Sequence, residues 1–136
     1  MNAQDSLTHE WIALQTSHER YETGGLMIKL ASVALTVAGF ALHLNSKLIL
    51  ALVAILWLQE GIYRTFQSRL GQRILRVEQL VKGGVPDMAF QLHSEWLSGR
   101  PGALALIAEY ARSACRPTVA FPYAVLMAGL AYLLWR

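Results

Sequence analysis

Lys29 and Glu60 are the residues of this 136-residue chain whose types and positions first suggest chemistry. Each stands at one end of an apolar run, Lys29 in LMIKLASVALTVAGFALHL (residues 26–44) and Glu60 just beyond LILALVAILWL (residues 48–58). A charge left alone in hydrocarbon costs about 2.5–3.5 kcal/mol on insertion scales. One expectation is therefore an intramembrane ion pair between the two runs. The alternatives are that Lys29 snorkels while Glu60 sits among headgroups, or that the two mark an ion or proton path.

A second pattern follows on the same run. Lys29, Ser32, Thr36, Gly39 and His43 recur at the alternating three- and four-residue spacing of one helix side. A polar face of this kind either packs against another helix or lines water. Lining water requires several copies, because a hairpin alone is too thin to enclose a channel.

Other reactive types lack the company that catalysis needs. His18 and Glu22 stand one helical turn apart, but two ligands without a third make a weak metal site. No HExxH, CxxC, GxSxG or phosphate-loop pattern occurs. Cys115 is the lone cysteine, which excludes an intramolecular disulfide framework; it reads as a small packed side chain, with acylation beside Arg116 as the alternative. Arg64, Arg69, Arg73 and Arg76 read as a solvated face with headgroup contacts. A net charge of +3 gives no argument for nucleic acid. No catalytic, cofactor-binding or metal-binding residue is expected, and the chain reads as non-enzymatic.

These residues need elements to hold them, and the composition says which. Hydrophobic residues make up 54% and charged ones 15%, against about 45–50% and about 25% in soluble domains. The excess is too large for a small water-facing surface. Spanning takes about 20 mostly apolar residues. Residues 26–44 and 118–135 qualify, and residues 48–63 qualify if Glu60 is admitted. Trp57, Tyr63, Tyr123, Tyr132 and Trp135 sit where interfacial aromatics belong. The acidic residues ahead of the first run, Asp5, Glu10, Glu19 and Glu22, argue against a secretory signal. Positive charge concentrates after the second run, so the long middle region is expected in the cytoplasm, with the N-terminus inside and the C-terminus outside.

His43-Leu44-Asn45-Ser46-Lys47 leaves room only for a tight antiparallel helical hairpin, with partners placed symmetrically about Asn45-Ser46. The pattern continues beyond the membrane. Leu7, Trp11, Leu14, His18 and Tyr21 form one helical stripe, and Phe66, Leu70, Arg73/Ile74, Val77 and Leu80/Val81 another. The symmetry predicts that Tyr21 meets Leu70, Leu14 meets Val77 and Trp11 meets Leu80, with Glu22 near Arg69 and Glu19 near Arg73. Gly24-Gly25 is expected to loosen the first helix, and Gly83-Gly84 with Pro86 to end the second. A short helix over residues 88–98 and another over 102–115 follow. Pro122 should kink the last span unless the helix begins there.

The fold class is therefore an all-α integral membrane protein: three transmembrane helices, with a hairpin extended into the cytoplasm as an amphipathic stem. In segments, these are a cytoplasmic helix (1–25), the transmembrane hairpin (26–66), a cytoplasmic helical region (67–116) and the third span (117–136). On Tyr21, Trp57, Glu60, Arg69, Arg76 and Glu78, residues 9–81 resemble the SLATT class of small bacterial two-span proteins. The resemblance implies a bacterial inner membrane and a pore-forming effector role in nucleotide-signalling conflict systems. The expected partners are the lipid bilayer, further copies of the chain and other membrane-protein subunits.

Two functions compete. A homo-oligomeric scaffold or pore is motivated by the polar stripe, the small-residue ridge Ala51/Ala54/Gly61 and the stem. An accessory or assembly subunit of a larger membrane complex is motivated by small size and by Phe90, Trp96, Leu97 and Leu104, apolar residues with little core of their own.

Overall fold

Four helices organise residues 3–83, 97–99 and 101–135, the residues described by the computed structural model. They are α1 (Ala3–Ala41), α2 (Ser46–Gly83), α3 (Ala103–Ala114) and α4 (Pro117–Trp135). The described residues contain no strand, and α1, α2 and α4 are each long and apolar enough to cross a membrane. Their outer surfaces carry Leu30, Val33, Val37, Ile55, Leu58, Phe121 and Val125 in the open. An apolar wall of that extent is compatible with a lipid surround. The helix expected over residues 88–98, with Phe90 and Trp96, falls almost wholly outside the described residues.

The hairpin turn is tighter than the sequence suggests. At the end of α1 the Leu44 amide donates to the Gly39 carbonyl at 2.9 Å, and the His43 amide to that of Phe40 at 3.1 Å. His43 takes φ 54°. Together these make a Schellman cap, with His43 in the left-handed position usually given to glycine. Asn45 then caps α2, its Oδ1 accepting from the Lys47 amide at 2.9 Å.

Because Asn45 already starts α2, the hairpin's symmetry axis moves toward Leu44, and partners shift by about half a turn of helix. Trp11 donates its indole N–H to Glu78 at 3.1 Å, rather than meeting Leu80 squarely. Tyr21 packs its ring on Tyr63 and Phe66 at 5.4 and 6.2 Å between centroids. Leu14 and Val77 share a buried cluster with Leu7 and Ile74, against which Leu70 and Leu80 pack. Glu19 and Glu22 are exposed, whereas Arg73 pairs with Glu10 at 2.8 Å and Arg69 with Glu109 at 2.8 Å. Nor does Gly24-Gly25 interrupt α1. A Cβ on Gly24 would come within 2.8 Å of the Tyr63 ring, so this glycine serves close approach instead.

α3 and α4 run back along α2 as one line broken at Cys115-Arg116. Successive contacts pair Glu109 with Arg69, Ser113 with Thr65, Ala114 with Trp57, and Tyr123 with Glu60. Farther on, Leu130 and Tyr123 join Ile49 and Val53 in a second buried cluster. The molecule thus has an apolar core in the stem and another between the long apolar segments. Polar groups fill the level between them.

Candidate functional site

Glu60 is the centre of that polar level. Its side chain is fully buried, and three helices converge on it. Lys29 Nζ from α1 lies 3.1 Å from Oε1, and Arg64 Nε, one turn along α2, lies 3.5 Å from the same oxygen. Tyr123 from α4 donates its hydroxyl to Oε2 at 2.8 Å. Oε1 meets its two cations without hydrogen-bond geometry, so attraction of charge rather than a directed bond holds that side. The structure thus brings Lys29 and Glu60 together.

Lys29 spends its directed bond elsewhere, and Pro122 explains where. Proline has no amide hydrogen, so within α4 it leaves the carbonyl four residues earlier without its helical donor. That carbonyl belongs to Thr118, and Lys29 Nζ donates to it at 2.9 Å. Pro122 lies inside the helix, which begins at Pro117. The proline that the sequence marks as a kink is here the source of a binding point for a lysine on another helix.

A second set of contacts locks α3 onto α2 just beside Glu60. Thr65 donates to the Ser113 hydroxyl at 2.8 Å, and Trp57 Nε1 donates to the Ala114 carbonyl at 2.9 Å. The Trp57 ring stacks on Tyr123, 6.3 Å between centroids with 19° between planes. Gly61 makes this possible. A Cβ there would stand 2.8 Å from Ala114 Cβ and 3.2 Å from its backbone. The ridge Ala51/Ala54/Gly61, expected to meet another copy, therefore loses Gly61 to an internal contact.

The polar stripe of α1 has the same fate. Ser32 and Thr36 are buried, their hydroxyls donating to the carbonyls of Lys29 and Ser32 at 2.7 and 2.8 Å. Gly39 is buried against Ile49, whose Cδ1 would lie 2.7 Å from an added Cβ. His43 is exposed and caps the helix. Within one chain this face packs on α2 and α4; it does not face water.

Among the described residues no group of three or more His, Cys, Asp or Glu side chains is placed to hold a metal ion. Cys115, read from the sequence as packed, is exposed. The site holds one carboxylate, two cations and a phenol. That set suits a charge clasp better than acid–base exchange between paired carboxylates. Sequence reasoning missed Tyr123, Thr118 and Ser113. The available signal was a tyrosine beside a proline within an apolar run, two polar-capable groups with no polar neighbour in sequence. Comparison with known proteins finds no matching protein family, curated protein or solved structure.

Proposed function

We propose that this chain is a non-enzymatic membrane scaffold that works by assembling with copies of itself. One observation carries the reading. Glu60, Ser32, Thr36 and Tyr123 are buried inside each chain, and Lys29 is spent on Glu60 and Thr118, while exposed small residues are left on two outer faces. Ala31, Ala34, Ala38 and Ala41 recur at helical spacing on α1, all exposed, and Ala124 and Ala128 do so on α4. In lipid, helices associate where small side chains let backbones approach closely. Pairing the α1 face of one copy with the α4 face of the next builds an array without any polar seam.

A conducting pore would need a polar face turned outward, and Ser32, Thr36 and Gly39 are buried against α2 and α4. The accessory-subunit reading keeps one specific support: Leu104 and Ile107 stand exposed on α3, at 84% and 62% of full accessibility.

The arginine-rich stem belongs in the cytoplasm by charge bias, with the N-terminus inside and the C-terminus outside. A reporter fused after Arg136 should be active only outside, and one inserted after Gly83 only inside; the reverse pattern would refute this orientation. Isolation in mild detergent tests the assembly. Identical chains alone support the scaffold, whereas unrelated subunits at fixed ratio would favour the accessory reading.

A further inference from the structure

Where the stem meets the polar level, an open groove of about 410 Å³ lies between α1, α2 and the start of α4. Its lining combines Arg64 and Arg116 with His18, Gln67, Ser68, Gln72 and the apolar Leu75, and no carboxylate is among the lining residues. The floor is low because Gly71 carries no side chain opposite His18.

The two arginines are prepared differently. Arg64 is held in place, donating from Nη1 to Gln67 at 2.7 Å, while its Nε faces Glu60. A guanidinium has five N–H donors; the Nε of Arg64 is buried against Glu60 and one Nη1 hydrogen is given to Gln67, so a ligand would meet the remaining Nη hydrogens. Arg116 is exposed at the groove's edge, between α3 and α4. Two guanidinium groups lining one groove match the charge and the several acceptor oxygens of a phosphate. The hydroxyl and amides around them supply neutral donors for the remaining oxygens.

Depth narrows the choice of ligand. Arg64 follows the apolar part of α2 by one turn after Glu60, which puts the groove level with lipid headgroups if the chain spans the bilayer as proposed above. We propose that this groove binds a phosphate group, and that it does so at the membrane surface. The same chemistry would take the phosphodiester of an anionic lipid or a free phosphate from the cytoplasm.

The test uses the full chain in detergent micelles, titrated separately with phosphatidylglycerol, phosphatidylcholine and inorganic phosphate, with bound species read by native mass spectrometry and calorimetry. Arg116→Gln removes an exposed cation, and Gln72→Glu places a carboxylate at an exposed lining position. Unchanged melting profiles establish that both variants fold. Losing one charged hydrogen-bonding group should weaken phosphate binding about tenfold. Binding of phosphatidylglycerol alone, weakened in both variants, identifies a headgroup site. Binding of inorganic phosphate, weakened in the same way, identifies a free-phosphate site. Absence of binding in all three titrations, or equal binding by wild type and both variants, overturns the proposal. Micelle binding does not depend on how many copies assemble, so failure of the groove and failure of the scaffold reading are told apart.

Discussion

Glu60→Met should be among the most damaging single substitutions, lowering stability by about 3 kcal/mol. Removing one partner of a buried ion pair costs about 3–5 kcal/mol. The lower end applies because Lys29 and Arg64 keep about a fifth of their side-chain exposure and regain some solvation. The same change strips Tyr123 of its acceptor. Lys29→Met should do less, about 1–2 kcal/mol, between the exposed and buried limits. Glu60 would still hold Arg64 and Tyr123, and the Thr118 carbonyl would lose its donor. Combining Lys29→Met with Glu60→Met should cost less than the sum of the two by about 1 kcal/mol or more, as expected for contacting groups. Reversible unfolding in mixed micelles gives all four corners of the cycle. Strict additivity would mean that the two charges do not act on each other.

Gly61→Leu is the second large effect, and Gly61→Ala gives its sign. Helix propensity alone says that alanine should stabilise a helix interior by about 1 kcal/mol relative to glycine. Packing says the opposite. The new methyl would meet Ala114 at 2.8 Å, with backbone atoms of the same residue at 3.2 Å, and backbone cannot swing aside as a side-chain end can. α3 must move off α2, which loosens the Thr65–Ser113 and Trp57–Ala114 bonds. Overpacking of this kind typically costs about 1–3 kcal/mol, so Gly61→Ala should destabilise by about that much and Gly61→Leu by more. Gly129→Ala, where an added Cβ meets open space, is the control and should be harmless. A Gly61→Ala protein as stable as the control would show that α3 does not seat on Gly61.

How much of this was legible in the sequence depended on whether the responsible interaction was local. Helix class and three long apolar helices follow from periodicity and length, both carried by adjacent residues. The nearness of Lys29 to Glu60 follows from hairpin symmetry, because a tight turn fixes which residues share a level. The register was off by about half a turn for an equally local reason. Asn45 reads as turn centre by position, but as a helix cap by its side-chain bond to Lys47. What stayed out of sight was the contribution of the third span. Nothing near Tyr123 in the chain points to Glu60. Their meeting depends on α3 and α4 running back along α2, and that course is set by the close seat at Gly61. Gly61 itself looked like an oligomer contact, since a small residue on a helix does not say which helix will approach it.

The scaffold reading rests on outer faces that one chain leaves uncovered, so the mass of the isolated particle tests it most directly. Wild-type protein in lipid nanodiscs should weigh an integral multiple, two or greater, of the 15.1 kDa chain, with no other polypeptide present. Ala34→Leu combined with Ala38→Leu places bulk on the exposed α1 face without touching the buried node, and should reduce that particle to single chains. A wild-type particle of one chain, or a multimer that the double leucine variant leaves intact, would contradict assembly through this face.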